Sequence, residues 1–448
     1  MRMRVIALAV VGALLGVAGA GVSAQKVAPA KGASGAAERT ATIDVNLVKP
    51  ESVGFSAERL ENLHKLIQGT IDRKELPGAV TILARHGRVV DYRVYGVKDM
   101  ESGAALTKDS IFRDFSMTKP VTAVAMMILY EQGKWLPMDP ISKYIPEFEH
   151  LKVFKDVDAA GNMVVEEPKH APTMGELMTH TAGFTYGFFG NTAVDKEYSK
   201  QNVMGSKSLQ EFIDKLAKIP LMYQPGTKWS YSASMDVQGY IIEKLSGQSL
   251  PEFYAEHIFK PLGMKDAGFF VPADKRDRFV TLYQGEGKEP LKVVKFGGDY
   301  SSQPGMPSGG GGMVSTAEDY FRFASMLANG GELNGVRIIS PASVALMGAN
   351  HLAPNLLTGE FAIGIHQMRA GFGYGYNCAV VFDPPMAGLS DGKGEFFWDG
   401  AAGTWFWVDP TNDVVFVGMI QRMLGPTSPN VEYLSRATIY GALVDSKK

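Results

Sequence analysis

The sequence predicts an α/β fold: a sandwich of helices around an antiparallel sheet, with a second, mostly helical lobe. Three observations predict it. A β-rich pair, GAVTILARHGRVVDYRVYG (78–96), lies towards the N-terminal end. Further strand-like runs, FGYGYNCAVVFD, EFFWDG and TWFWVDPTNDVVFVGMIQR, lie towards the C-terminal end. Between them, from Lys134 to about Phe270, short helical patterns and loops dominate. One sheet completed by both chain ends, with residues of about 120–300 as the helical lobe, accommodates all three. At 448 residues the chain is long enough for that core.

The first element is a leader. MRMRVIALAVVGALLGVAGAGVSAQ carries two arginines, an apolar run and a V-S-A ending, the pattern of a secretory signal cleaved after Ala24. An uncleaved anchor is the alternative, though the run is short for a full span and rich in Ala and Gly. Losing Arg2 and Arg4 moves the formal charge from −2 to −4. With no basic runs or aromatic–basic interleaving, nucleic acid is not an expected partner, and no membrane span is expected after cleavage. Residues 25–48 are Ala-, Gly- and Lys-rich without a period, which predicts a flexible linker ahead of a domain at 49–448. The single cysteine, Cys378, excludes an internal disulfide and reads as a structural strand residue.

Within the domain, SAERLENLHKLIQGTIDR has helical spacing with Ser56 as N-cap. The 78–96 pair turns at His86-Gly87 and reads as a hairpin. TMGELMTHTAGF and SASMDVQGYIIEKLSG read as helices of the lobe. MPSGGGGMVSTAEDYFRFASMLANGG is a glycine loop followed by a helix capped by Ser315 or Thr316. It lacks the G-K-[S/T] ending of a phosphate loop, so its glycines predict mobility near a site. NVEYLSRATIYGALVD closes the chain as a helix.

The stretch DFSMTKPVTAVAMMILYEQG (114–133) carries the chemistry. VTAVAMMILY is apolar nearly all round, as in a helix enclosed on every side, and Gly133 suits its C-terminal end. Pro120 fits only the first turn, which puts Ser116 at or just before the helix start, with Lys119 on the same face. A capping serine with a surface lysine is the bland alternative, and the apolar turns that follow argue against it. A desolvated lysine has a lowered pKa and can take the serine's proton. The helix N-terminus offers N–H groups to an oxyanion. Two further S-x-x-K matches, Ser23–Lys26 and Ser390–Lys393, straddle the cleavage point and sit in a glycine loop. GLSDG (388–392) matches a nucleophile elbow but lacks the helix that motif needs.

Tyr231, in PGTKWSYSASMD, follows a Pro-Gly turn and is expected exposed at a helix start, where a phenol can relay a proton. His180 reads as a structural helix-end residue. The other histidines are scattered, with no H-E-x-x-H and no Cys–His cluster, so no metal is expected.

S-M-T-K at 116–119, Y-S-A at 231–233 and W-D-G at 398–400 appear in order, supported by LMTHTAGF, GGGGMVSTAEDY and WDGAAGTWFWVDP. Over roughly residues 50–445 the chain resembles the serine β-lactamase and penicillin-binding-protein superfamily, and most of all family VIII carboxylesterases. The resemblance implies a β-lactamase-like α/β fold. It implies Ser116 as acylated nucleophile, Lys119 as general base and Tyr231 as proton shuttle. Trp398 and Gly400 would line the site, and the Ala401 N–H would join that of Ser116 in the oxyanion hole.

Departures bear on substrate. Ala233 stands where lactamases carry asparagine, and Trp398 where they carry a cationic lysine, which disfavours a free carboxylate and offers apolar area instead. Asp399 fits neither pattern and further disfavours anions. The expectation is an exported, periplasmic or secreted serine hydrolase for small-molecule carboxylic esters, needing no cofactor. A β-lactamase or D-alanyl-D-alanine peptidase, and a non-catalytic sensing module, are the alternatives. Oligomeric state is not legible in the sequence.

Overall fold

The computed structural model describes residues 43–447, apart from 287–288, 358–360, 364–365 and 369. The leader expected at 1–24 lies outside the described residues, as does most of the 25–48 linker. Where described, that linker is not free. Ile43, Val45 and Val48 pack against the core, and the Val48 N–H donates to Val89 O at 2.9 Å. These three apolar side chains anchor the stretch, which forms no regular strand.

In chain order the main elements are α1 (Ala57–Asp72), β1 (Gly78–Arg85), β2 (Arg88–Gly96), α2 (Thr118–Glu131) and α3 (Met174–Met178). They continue with α4 (Ser234–Ser246), α5 (Ala317–Ala328), β3 (Phe372–Tyr374), β4 (Ala379–Val381) and β5 (Glu395–Asp399). The last are β6 (Trp405–Asp409), β7 (Val414–Met419) and α6 (Val431–Ala442). The strands form one antiparallel sheet in the order β3-β4-β5-β6-β7-β1-β2. The chain ends meet at β7 and β1, in register from Val80 opposite Met419 to Arg85 opposite Val414.

Local chemistry sets the ends of these elements. Ser56 Oγ accepts the Arg59 N–H at the start of α1. His86 and Gly87 take φ of 53° and 67°, as the two-residue hairpin turn between β1 and β2 requires. Of the two candidate caps of α5, Thr316 does the work, accepting the Asp319 N–H at 3.1 Å.

Alternation along β5 and β6 divides the two helical layers. Phe397 and Trp407 lie under the Arg436 guanidinium of α6, at 4.5 and 4.7 Å, and α1 packs on α6. Phe406 points the other way, its ring 5.0 Å from Tyr320 of α5. The helix-rich middle rests beside this sandwich and contains a hairpin absent from the sequence reading, Val153–Val157 with Met163–Glu166. Its residues are mostly exposed, so it carries no clear apolar alternation to read.

α2 is the axis of the molecule. Every residue from Thr118 to Leu129 is buried, with Pro120 in the first turn and Gly133 (φ 71°) just past the end. Burying each large side chain is worth about 2 kcal/mol, so this helix is held by packing on α4 and its neighbours. Among the described residues no helix is long and apolar enough to cross a membrane.

Candidate active site

Ser116 sits in a 3₁₀ turn, Phe115–Met117, immediately ahead of α2. Phe115 before it has φ 45°, a left-handed conformation that non-glycine residues hold only when the surroundings impose it. Here the Asp114 N–H donates to Met313 O, Thr404 Oγ1 donates to Asp114 O, and Tyr320 Oη donates to Met117 O.

One turn on, Lys119 is 1% exposed. Its Nζ lies 2.9 Å from Ser116 Oγ and 2.6 Å from Gly310 O, and no described carboxylate forms an ion pair with it. Burial pulls the ammonium down to about 7, against the opposing pull of Asp236 and Asp399. A substantial fraction of this lysine is therefore neutral near pH 7.

Tyr231 donates from Oη to Ser116 Oγ at 2.8 Å. It is partly buried, not exposed at a helix start as the sequence suggested, because aromatic rings enclose it. Tyr186, Trp229 and Trp398 lie 5.3, 6.1 and 5.7 Å away between centroids. Burial pushes its phenol well up, so it stays protonated and acts as a donor.

His180 does more than end α3. Its carbonyl accepts the Ser230 N–H at 2.9 Å, and its Nδ1 accepts the Ser232 N–H at 3.2 Å. The amides on both sides of Tyr231 are thus held by one residue, whose ring lies 4.8 Å from the phenol ring. His180 itself has φ 58°, and burial drives its imidazole well below 6.5, which keeps Nδ1 an acceptor.

Beyond β5, Gly400 closes on the backbone in front of Ser116. Its N–H donates to Thr404 O at 2.7 Å, and a Cβ there would fall 2.3 Å from Asp114 O. Glycine is thus needed for the close approach that places Ala401 rather than for contact with substrate. No described acceptor takes the N–H of Ser116 or of Ala401, and both residues line the same cavity of about 360 Å³. Phe115, Tyr186, Phe188, Phe189, Phe296 and Met423 supply most of its apolar wall. Asp399 lines it too.

Trp398 is placed differently from the expectation. It is 1% exposed, packs behind Tyr231 and Tyr374, and does not line the cavity. Strand alternation turns it inward while its neighbour Asp399 faces the cavity. The glycine segment also differs. Gly309 and Gly310 are buried, and added Cβ atoms would fall 2.4 Å from Met235 O and 2.7 Å from Tyr186 Oη. These glycines serve close packing, not mobility.

Asp236 went unread in the sequence, although a carboxylate five residues after Tyr231 inside SMDVQGYII was the available signal. It is fully buried beside the Ser308–Gly311 segment. Cys378 is buried at the head of β4 with its thiol pushed up, and Ser390 of GLSDG is exposed in a loop before β5. Among the described residues no cluster of His, Cys, Asp or Glu could hold a metal.

A serine bracketed by a buried lysine and a protonated tyrosine, under a seven-stranded antiparallel sheet, agrees with the family comparison: residues 63–439 match the β-lactamase family model. The chain belongs to the β-lactamase family. Within this family, an uncharacterized protein of Mycobacterium tuberculosis is 35% identical over 361 residues, covering 80% of this chain and 88% of that one. Esterase EstB of Burkholderia gladioli is 29% identical over 374 residues, covering 78% and 88%. Among solved structures, EstCE1, a hydrolase with promiscuous acyltransferase activity, superposes with TM-score 0.72 at 25% identity, covering 86% and 98%.

Proposed function

We propose that this serine hydrolase cleaves small-molecule carboxylic esters through an acyl-enzyme on Ser116. One observation carries the reading: the Lys119 amine, buried without an ion pair, lies 2.9 Å from the Ser116 hydroxyl. When Lys119 is neutral, the hydroxyl donates to the amine and Oγ attacks the ester carbonyl. The N–H groups of Ser116 and Ala401 receive the oxyanion. Tyr231, still protonated, passes its proton to the departing alcohol and is reprotonated from Lys119. Water then attacks the acyl-enzyme by the reverse route. Esterases among the relatives, EstB and the lovastatin esterase of Penicillium rubens, support the substrate class. So does a cavity walled by aromatic side chains.

The test is a matched assay of residues 25–448 and its Ser116→Ala variant on p-nitrophenyl butyrate and a chromogenic cephalosporin. Ester turnover should fall by about 10⁴-fold in the variant, with little cephalosporin turnover in either. Efficient cephalosporin turnover would move the reading to a β-lactamase, and an unaffected variant would remove Ser116 from its role. Export is part of the proposal, and N-terminal sequencing of protein from the periplasm or medium should begin at Gln25.

A further inference from the structure

We propose that Asp236 is a positioning residue for Lys119: it holds the Gly310 carbonyl against the amine and sets a negative charge beside it. The inference rests on Lys119 acting as the base of Ser116. Asp236 lies in the first turn of α4 and is fully buried. Its Oδ1 accepts the Ser308 hydroxyl and, at 3.2 Å, the Gly310 N–H. The same Gly310 presents its carbonyl to Lys119 Nζ at 2.6 Å. One peptide-bonded segment therefore joins the carboxylate to the base. Gly309 O accepts Thr122 Oγ1 of α2 at 2.5 Å, so the segment is pinned on both sides of the lysine's turn.

The second oxygen, Oδ2, is buried and has no hydrogen-bond donor. A fold that needed only an acceptor for Ser308 and Gly310 would be better served by a neutral amide, because an unsatisfied carboxylate oxygen is costly to bury. Burial pushes the Asp236 carboxyl up while Lys119 draws it back down, so the charge, which an amide lacks, is held there as the partner of the lysine's own proton. The groups facing Lys119 are Asp236 from α4, Asp399 from the end of β5, and the Tyr231 and Tyr186 rings, 4.6 and 5.5 Å from Nζ. His180, neutral, lies behind Tyr231. Among the described residues, Asp236 and Asp399 both act on the base, and Asp236 is bonded to the segment that the lysine touches.

The consequence has a definite sign. A negative charge favours the protonated lysine, so removing it frees the base at lower pH. Asp236→Asn keeps an acceptor oxygen for Ser308 and Gly310 while discharging the site. The acid limb of kcat/KM should then move down by about one pH unit. Asp236→Ala releases the 308–311 segment and should lower kcat about tenfold or more while KM moves much less.

The experiment takes pH profiles of kcat/KM on p-nitrophenyl butyrate for parent, Asp236→Asn and Asp236→Ala. Each is also titrated with a fluorophosphonate probe and checked by thermal unfolding. A downward shift of the acid limb in the folded Asn variant supports the proposal. A limb that stays in place or moves up overturns it, whatever the Ala variant does. If the parent itself is not labelled at Ser116, the acyl-enzyme reading falls, which is a different result from a labelled parent whose Asp236 variants titrate unchanged.

Discussion

Two of the buried cations in this molecule, Lys119 and Arg436, are held in opposite ways. At the head of α2, Lys119 is enclosed with a serine, a carbonyl and aromatic rings but no ion pair. On the far face of the sheet, Arg436 of α6 meets Asp391, Glu395 and Glu432 at 3.3, 3.1 and 2.9 Å. Burial pulls the lysine down to about 7, whereas the three carboxylates outweigh burial and hold the arginine up. The same desolvation makes one cation a labile proton carrier and leaves the other a fixed charge. Residue type reinforces the division, since a guanidinium cannot be deprotonated in this range and an ammonium can. An unpaired buried lysine is expensive for the fold, and that expense is what makes it a base.

Exchanging the cations for apolar side chains should separate the two roles. Lys119→Met should lower kcat/KM by about 10³-fold or more while leaving the fold intact, read by ester assay and thermal unfolding. Arg436→Met should do the reverse. Removing one partner from a buried ion cluster costs about 3–5 kcal/mol, and denaturant titration should show it, with turnover per folded molecule retained. If Arg436→Met abolishes turnover in folded protein, the division between the two regions fails.

A smaller effect tests the seat of Tyr231. His180→Phe keeps a ring but loses the acceptor for the Ser232 N–H, and kcat should drop about tenfold with KM nearly unchanged. His180→Asn, which tolerates the left-handed backbone and retains an acceptor oxygen, should recover part of that loss.

The smallest effects lie in pH. Because the base must be neutral, kcat/KM should fall about tenfold per pH unit below the Lys119 midpoint near 7. Stability responds with its own sign. The folded lysine titrates below its ordinary 10.5, so its contribution is fully present above 10.5 and is lost as pH falls to about 7. Lys119→Met should therefore gain stability over the parent more at pH 6 than at pH 10, measured by denaturant titration at both. Glu395, raised by burial, has the opposite slope, its contribution fading as pH rises above its ordinary 4.5.

Much of this was legible in the chain. Ser56, the His86-Gly87 turn, Pro120 and Gly133 each mark an end by local stereochemistry, and local rules act through neighbours in sequence. The apolar run after Lys119 announced a buried helix, and the serine three residues before the lysine announced where its chemistry pointed. The sheet closed from both ends because its long β-rich runs lie there, at 78–96 and 372–419.

What the sequence left open was decided by contacts between distant residues. Whether Trp398 or Asp399 faces the cavity depends on the register of β5, which follows from its pairing with β6. Glycines at 309 and 310 read as freedom, yet α4 presses on them and turns them into close contacts. Asp236 belongs to no motif in the sequence, and His180 reads there as a helix-end residue. Only the folded chain brings the first to the segment that Lys119 touches and the second to both amides beside Tyr231. Periodicity and capping are properties of neighbouring residues, so sequence alone determines them. Burial, and with it the lowered proton affinity of Lys119, belongs to the whole fold.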